Sequence, residues 1–260
     1  MSDVTLNFVA DIAQQAGHII ADLRDRLDIS FKGDTELVTQ ADIAADTAIR
    51  QRIQEAFPAH SILSEELAPD ADTNAEHLWV IDPIDGTVNY AHQHPQVAVS
   101  IAYYERGEAR LAVVFNPFLH ETFSAEAGHG AWLNGQPIRC SETRDLRRAI
   151  VATGFPYHKN TVPLLMKRVQ NVLSECADIR RLGSAALDIC WVACGRLDAY
   201  YETVKPWDFA AAQLIAREAG ARFGHFTPVP AGKNPQLWGE DILLANRALY
   251  DALQQLLNKD

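Results

Sequence analysis

Apolar residues recur at steps of three and four along the first part of the chain, which is the period of an amphipathic α-helix. The first such run spans residues 6–27 and predicts a helix of about six turns. The sequence T-Q-A-D at 39–42 has the pattern of a capping box and predicts a second helix that continues to Phe57 and ends at Pro58. Between these helices, residues 32–34 (K-G-D) predict a polar loop.

Shorter apolar runs bounded by turn residues predict strands in the rest of the first half. Residues 61–63 and 79–81 predict two buried strands. Residues 96–138 show several strand patterns separated by turn signals, among them the hairpin pair Asn134-Gly135, and predict an antiparallel meander.

The second half alternates strand and helix patterns, which predicts an α/β layered arrangement. Strands are expected at 150–155, 179–182, 199–202, 221–226 and 242–245, and helices at 162–176, 184–195, 207–220 and the C-terminal end. The charged segment 141–148 lacks apolar periodicity. We therefore expect two closely packed halves, residues 1–140 and 141–260.

Composition narrows the class of protein. The chain has 260 residues, 48% of them hydrophobic, which is typical of a globular protein with a large core. No apolar run approaches the ~20 residues of a membrane span, and the N-terminus lacks the pattern of a secretory signal, so a cytoplasmic location is expected. The four cysteines, Cys140, Cys176, Cys190 and Cys194, show no disulfide framework and are interpreted as reduced thiols.

The formal net charge of −11 disfavours a primary role in binding nucleic acids or anionic membranes, because like charges repel. A small anionic substrate would be disfavoured for the same reason. That objection weakens if bound cations neutralise some of the carboxylates.

The stretch 79–87 (W-V-I-D-P-I-D-G-T) places two carboxylates, a glycine and a hydroxyl at the end of a predicted buried strand. Pro83 disfavours a helix and holds Asp82 and Asp85 on a stiff turn. Closely spaced carboxylates favour a hard divalent cation such as Mg²⁺ over zinc. Gly86 permits close approach of an anion, and Thr87 offers a hydroxyl and an N–H group. Local chemistry therefore indicates Mg²⁺ and phosphate.

Two alternatives remain for this stretch. D-P-x-D-G is also an ordinary turn sequence, in which Asp caps and Gly takes a positive φ. Phosphatases with an aspartyl nucleophile carry a D-x-D-G-T-like motif, although the spacing here is one residue longer.

Other polar residues also have ordinary structural explanations. Thr39 and Asp42 fit a helix cap, Glu65 fits a solvated loop, and Asp208 fits the first turn of a helix. The G-S-A-A sequence at 183–186 fits a capped helix start as well as a substrate loop. His92 and His94 are interpreted as loop residues, since oxygen-rich metal sites seldom use histidine.

Four motifs in one order carry a family resemblance: S-E-E at 64–66, D-P-I-D-G-T at 82–87, G-S-A-A at 183–186 and P-W-D at 206–208. Together they resemble the inositol monophosphatase family, close to its bacterial branch. The resemblance runs nearly end to end and includes L-V-T-x-x-D at 37–42 and L-N-G at 133–135. It implies an α/β (α+β) fold, the five-layered αβαβα sandwich of the inositol monophosphatase and fructose-1,6-bisphosphatase type, with Mg²⁺ as cofactor, inhibition by Li⁺ and a homodimer.

The resemblance also implies roles for single residues. The implied metal ligands are Glu65, Asp82, Ile84 through its carbonyl, Asp85 and Asp208, so that residues 1–140 carry most of them. The implied catalytic groups are Glu65 and Thr87, which orient the attacking water, and Asp42, which bonds to the Thr87 hydroxyl. The implied substrate contacts are Asp85, the Gly86 and Thr87 amides for phosphate, and Ala185 and Glu202 for the alcohol. The substrate loops and the last metal ligand fall in residues 141–260.

The implied reaction is hydrolysis of a small phosphate monoester, foremost inositol 1-phosphate, by in-line attack of metal-activated water. Ser64 stands where the family usually has Gly, and the segment 202–207 is one residue shorter than usual and lacks its Gly. Histidinol phosphate is therefore an alternative substrate, as are fructose 1,6-bisphosphate, NADP and 3′-phosphoadenosine nucleotides. A regulatory protein-binding module with a vestigial site is an alternative of another class.

Overall fold

The computed structural model describes residues 4–26, 29–32, 36–155 and 161–259. Its helices are α1 (Leu6–Leu23), α2 (Gln40–Ala56), α3 (Thr87–Ala91), α4 (Val162–Glu175), α5 (Ala185–Ala193), α6 (Pro206–Glu218) and α7 (Tyr250–Leu257). Its strands are β1 (Ile29–Lys32), β2 (Glu36–Thr39), β3 (Ser61–Ser64), β4 (His77–Asp85), β5 (Ala98–Glu105), β6 (Glu108–Asn116), β7 (Glu121–Glu126), β8 (Gly130–Leu133), β9 (Gln136–Pro137), β10 (Ile150–Thr153), β11 (Asp178–Arg180), β12 (Ala199–Glu202), β13 (Arg222–His225) and β14 (Ile242–Ala245).

Two sheets organise the fold. The first is seven-stranded in the order β3-β4-β5-β6-β7-β8-β9; β3 is parallel to β4, and every later pair is antiparallel. The predicted meander over 96–138 is thereby confirmed. The second sheet is five-stranded in the order β11-β10-β12-β14-β13. In it β10 is parallel to both neighbours and β14 antiparallel to both.

Helices cover both faces of both sheets, because alternate strand residues point to opposite sides and both sides are apolar. One face of the first sheet packs on α1 and α2, through a core that includes Ile12, Ile49, Trp79 and Ile101. Its other face packs on α5 and α6, in a core that reaches the second sheet and includes Val80, Leu187, Phe209, Tyr200 and Leu244. The outer face of the second sheet packs on α4 and α7, around Val151, Val172, Tyr201 and Leu253.

The resulting order of layers is helix, sheet, helix, sheet, helix, and the expected five-layered αβαβα sandwich is confirmed. The strands of the first sheet lie within residues 61–137 and those of the second within 150–245. The two sheets share the core around α5 and α6. The division into halves 1–140 and 141–260 stays a prediction.

The predicted helices and strands are found, although the strands expected at 150–155 and 179–182 are shorter, at Ile150–Thr153 and Asp178–Arg180. Larger differences lie near the N-terminus and at the Asp82 turn. The first helix ends at Leu23, and a 3₁₀ turn follows over Arg24–Arg26; Leu27 lies outside the described residues. The Arg24 guanidinium donates to the Asn89 and Tyr90 carbonyls. Local sequence patterns do not indicate these contacts, because the partners are remote in the chain.

The expected loop at 32–34 is only partly testable. Lys32 lies in β1, which forms an unforeseen antiparallel hairpin with β2, while Gly33 and Asp34 lie outside the described residues. The predicted capping box is confirmed, since Thr39 caps α2 and Asp42 accepts from the Thr39 N–H.

Among the described residues, none of the helices combines the length and hydropathy that a membrane span needs. The four cysteines are free thiols, as expected. Burial raises the pKa of the Cys176 thiol to about 11 and raises that of the Cys190 thiol well above its usual value, which keeps both protonated at neutral pH.

Candidate metal and phosphate site

The end of β4 brings two carboxylates together through an irregularity in the strand. Asp82 pairs with Ser100 of β5 and Asp85 pairs with Ala98, with a register shift between the two pairs. The Ile84 N–H donates to Asp82 Oδ1 at 2.9 Å, which closes a tight turn around Pro83. The sequence suggested a turn in place of a regular element; the structure corrects this to a bulge within β4, because β5 continues the pairing on either side of it.

The third carboxylate of the cluster belongs to Asp208, in the second half of the chain. Asp208 lies in the first turn of α6 and accepts a hydrogen bond from the Lys205 N–H at 2.7 Å. One oxygen each from Asp82, Asp85 and Asp208 lie within 4.8 Å of one another. Within the part of the chain that the structure describes, these three side chains are grouped closely enough to hold a metal ion, and they are three of the five predicted ligands.

The electrostatics of this cluster fit a divalent cation. Burial raises the pKa of Asp82 well above its usual range, and the Glu65, Asp85 and Asp208 carboxylates raise it further. Burial also raises the pKa of Asp208, with Asp85 adding to the effect. The pKa of Asp85 rises only to about 6, because hydrogen bonds from Ser184, Ala186 and Ala185 oppose burial. Buried oxygen donors that repel one another are stabilised by a hard cation, so these residues fit Mg²⁺ or a similar ion.

Glu65 reaches the same end of the sheet through strand pairing. In the parallel pair of β3 and β4, Ser64 lies opposite Ile81, so Glu65, the residue after β3, lies beside Asp82 of β4. The Glu65 N–H donates to the Ile81 carbonyl at 3.3 Å, and the Glu65 carboxylate raises the pKa of Asp82. Glu65 therefore lies beside the aspartate cluster, and its role as a metal ligand stays a prediction.

Thr87 and Asp42 form a buried hydrogen-bonded pair behind the cluster. The Thr87 hydroxyl lies 3.3 Å from Asp42 Oδ1 and 3.1 Å from the Ile84 carbonyl and shares its proton between these acceptors. Asp42 Oδ2 accepts from the Thr39 N–H and hydroxyl, at 2.8 and 2.6 Å. One oxygen of Asp42 therefore serves the helix cap and the other contacts the Thr87 hydroxyl.

Gly86 separates the turn of residues 82–85, named the metal turn after its proposed ligands, from the short helix α3. Its φ is 97°, and a Cβ atom there would lie 2.8 Å from the Gln96 carbonyl oxygen. Only glycine accepts both conditions without strain. The chain therefore turns sharply from Asp85 into Thr87, the first residue of α3.

Ser184 and the two alanines after it hold Asp85. The Ser184 hydroxyl donates to Asp85 Oδ2 at 2.5 Å, and the Ala186 and Ala185 N–H groups donate to Asp85 at 2.7 and 3.3 Å. Ser184 Oγ also accepts from the Leu187 N–H and caps α5. The sequence indicated the cap but not the contact with Asp85, because only the packing of α5 between the sheets reveals it.

Glu202 and Asp188 extend the acidic region beyond the aspartate cluster. Glu202 accepts a hydrogen bond from the Tyr200 hydroxyl at 2.5 Å and packs directly against Gly154. Burial raises the pKa of Glu202 to about 7. Burial also raises the pKa of Asp188, with Asp85 and Glu202 adding to the effect. Asp188 was missed from the sequence because it reads as an ordinary residue in the first turns of α5.

The chain matches the family described as "Inositol monophosphatase family" over residues 1–260. It is 41% identical over 253 residues to Nus factor SuhB of Escherichia coli (strain K12), which covers 95% of this chain and 93% of that protein. It resembles the solved structure of an IMPase from Thermotoga maritima with a TM-score of 0.87 and 34% identity, over 97% of this chain and 96% of that chain. A solved IMPase/NADP phosphatase complexed with Mg²⁺ and phosphate is similar with a TM-score of 0.83 and 28% identity, over 95% and 92% of the two chains.

Proposed function

The chain belongs to the inositol monophosphatase family, and from this premise we propose that it is a Mg²⁺-dependent phosphatase of small phosphate monoesters, with inositol 1-phosphate as its substrate. The observation that carries this proposal is the convergence of Asp82, Asp85 and Asp208 within 4.8 Å, beside Glu65. A similar protein was solved in complex with Mg²⁺ and phosphate, which supports the choice of ion.

In the proposed site, acidic side chains and backbone groups have different roles. Glu65, Asp82, Asp85, Asp208 and the Ile84 carbonyl hold the metal. Bound Mg²⁺ supplies charge neutralisation and an activated water, which an uncatalysed monoester lacks.

The chain's own groups then position the reactants. The Thr87 hydroxyl, held by Asp42, and the Glu65 carboxylate orient the attacking water. The Gly86 and Thr87 amides, together with Asp85, receive the phosphate at the turn that the positive φ of Gly86 allows.

The alcohol part of the substrate is proposed to contact Ala185 and Glu202. Glu202 has a pKa of about 7, so it can accept or donate a hydrogen bond to a hydroxyl near neutral pH. The same acidic surroundings, with Asp188 and Asp85 nearby, also suit a cationic ammonium group. Histidinol phosphate is therefore the alternative monoester.

A second candidate function comes from the name of the relatives. The Escherichia coli protein at 41% identity is called a Nus factor, and a regulatory role through protein binding is the corresponding proposal for this chain. It does not exclude catalysis, because the oxygens of Asp82, Asp85 and Asp208 converge here.

The test is phosphate release from a panel of monoesters: inositol 1-phosphate, histidinol phosphate, fructose 1,6-bisphosphate, NADP and 3′-phosphoadenosine nucleotides. Each is measured with Mg²⁺, with EDTA and with added Li⁺. We expect Mg²⁺-dependent release, greatest from inositol 1-phosphate, and inhibition by Li⁺. A folded protein that releases no phosphate from any of them refutes the enzymatic proposal and favours the regulatory one.

We also propose that the protein is a homodimer, because its family implies one, and that it is cytoplasmic, as the sequence predicts. Sedimentation velocity at several protein concentrations tests the dimer. A single species with the mass of one 28.8 kDa chain at the highest concentration would refute it.

A further inference from the structure

Asn89 joins three segments of the chain next to the proposed metal site. It lies in α3, two residues after Thr87, and its side-chain amide donates to two carbonyls. Nδ2 lies 2.9 Å from the Gln96 oxygen and 2.7 Å from the Leu182 oxygen. Both amide protons are therefore used, one within the first half of the chain and one on a loop of the second half.

The backbones of these segments come unusually close. A Cβ atom on Gly86 would lie 2.8 Å from the Gln96 oxygen and 3.1 Å from the Gly183 oxygen. A Cβ atom on Gly183, whose φ is 89°, would lie 3.0 Å from Asn89 Nδ2. Two glycines with positive φ thus let the metal turn, residue 96 and the 182–183 loop meet, and Asn89 bonds the junction together.

The loop that Asn89 holds is the one that holds Asp85. Directly after Leu182 and Gly183, the Ser184 hydroxyl and the Ala186 N–H donate to Asp85 Oδ2 at 2.5 and 2.7 Å. A shift of this loop would rotate or release the Asp85 carboxylate. Metal ligands depend on such supporting hydrogen bonds, whose loss typically lowers metal affinity 10–100-fold.

We propose that Asn89 is a positioning residue for the metal site: it ties the 182–184 loop to the metal turn and thereby sets the orientation of Asp85. This rests on the proposed function only in taking Asp85 as a metal ligand. Metal affinity then depends on a neutral side chain, which acts through its hydrogen bonds and not through a charge.

Asn89→Asp separates positioning from electrostatics. It preserves shape but removes both N–H donors and points carboxylate oxygens at two carbonyl oxygens. It also adds a negative charge beside a cation site, and charge alone would strengthen cation binding. A positioning role therefore predicts that Asn89→Asp binds the cation more weakly, whereas the added charge alone predicts tighter binding. Asn89→Ala removes the donors without adding charge.

Asn234→Ala is the matched control. Asn234 Nδ2 donates to the Gly107 carbonyl at 2.7 Å and also bridges the two halves of the chain. Gly107 follows the end of β5, whereas the start of β5 pairs with Asp85. At ~3.3 Å per residue along a strand, the bond between Asn234 and Gly107 lies about 25 Å from Asp85. The control loses a similar bond without touching Asp85.

The experiment is isothermal titration of each full-length protein with Mn²⁺ and with Mg²⁺, without substrate, with thermal unfolding measured in EDTA. We expect both Asn89 variants to bind Mn²⁺ at least about tenfold more weakly than wild type, and Asn234→Ala to bind as wild type does. Unfolding temperatures in EDTA should fall by similar amounts in Asn89→Ala and Asn234→Ala.

Three results would overturn the proposal: Asn89→Ala with wild-type affinity, Asn89→Asp with tighter binding, or Asn89 variants that fail to fold at 25 °C while the control folds. The readout is binding alone, so it is independent of whether wild type releases phosphate. Wild type that binds Mn²⁺ but hydrolyses nothing refutes the proposed function and leaves this inference standing.

Discussion

Ser184 donates its hydroxyl to Asp85 at 2.5 Å, although 99 positions separate the two residues in the chain. The contact joins the cap of α5 to the irregular end of β4. One hydroxyl thus serves the start of a helix and the orientation of a carboxylate. The site can therefore form only when the two halves of the chain pack together.

Ser184→Ala tests this contact directly. The variant keeps the Ala186 and Ala185 N–H bonds to Asp85 but loses the shortest one, so Mg²⁺ affinity should fall about tenfold. Titration calorimetry measures it. Ser174→Ala is the control, since Ser174 donates to the Gln170 carbonyl on the exposed side of α4. Equal Mg²⁺ affinities in the two variants would contradict the prediction.

Asp82→Asn should abolish turnover without unfolding the chain. Asp82 is 1% exposed and faces three other carboxylates, so the neutral amide relieves repulsion and should raise the unfolding temperature in EDTA. Mg²⁺ should raise the unfolding temperature of wild type but not of the variant, because binding to the native state stabilises it. Differential scanning calorimetry measures both effects.

Asp178→Asn, at an exposed position, controls for the general loss of a negative charge. If Asp82→Asn retained most of its activity at saturating Mg²⁺, the metal assignment would be wrong.

Thr87→Val removes the hydroxyl that Asp42 holds while keeping the shape of the side chain. We expect kcat to fall about 10²-fold or more with little change in Mg²⁺ affinity, since water positioning is lost and no ligand is removed. Thr87→Ser should recover most of the activity. Steady-state kinetics with the best monoester of the panel measure it, and Thr47→Val on the exposed face of α2 is the control. Equal losses in Thr87→Val and Thr87→Ser would argue against the role of the hydroxyl.

Glu202 should make stability depend on pH in the metal-free protein. Its pKa is raised from 4.5 to about 7, so between these values the native state binds more protons than the unfolded chain. Stability from this group therefore falls as pH rises from about 4.5 to about 7. Glu202→Gln removes this pH dependence, so the stability of the variant relative to wild type should rise as the pH increases from about 4.5 to about 7.

Urea unfolding of both proteins in EDTA at several pH values measures this difference. Glu175→Gln, at an exposed position of α4, corrects for the loss of one charge. A difference between Glu202→Gln and wild type that shrinks with rising pH would refute the raised pKa.

Gly86→Ala should lower the free energy of unfolding strongly, because two destabilising effects add. Its φ of 97° strains any L-residue by about 1–3 kcal/mol, and its Cβ would press on the Gln96 carbonyl. Gly232→Ala isolates the first penalty, since Gly232 has a φ of 80° and nothing within 4 Å of the added carbon. Urea unfolding should show a clearly larger loss for Gly86→Ala. Similar losses would mean that the backbone at residue 86 can move away from residue 96.

The motif order in the sequence was sufficient to predict the family and the layered fold, and both are confirmed. Helix and strand periods also placed most elements. The end of α1 was missed, because the contacts of Arg24 with the Asn89 and Tyr90 carbonyls come from the tertiary fold. The β1–β2 hairpin was missed because the sequence around residues 32–34 was interpreted only as a polar loop.

Candidate residues of the site were predictable only where a motif marked them. Asp82, Asp85 and Asp208 stood in motifs, and the structure places them together. Asn89 and Asp188 carry no local signal, since an asparagine in a short helix and an aspartate near a helix start are common for ordinary reasons. Their surroundings come from residues far away in the chain.

By itself, the sequence determined the local elements, the apolar faces that must be buried, and the types of side chain available for a metal, because these depend on near neighbours and composition. The tertiary structure alone decided which carboxylates share one space, how burial raises their pKa values, and which hydrogen bonds orient them. The physical reason is that electrostatic and hydrogen-bond energies depend on distance and on exclusion of water. Both quantities are set by packing between segments remote in the chain.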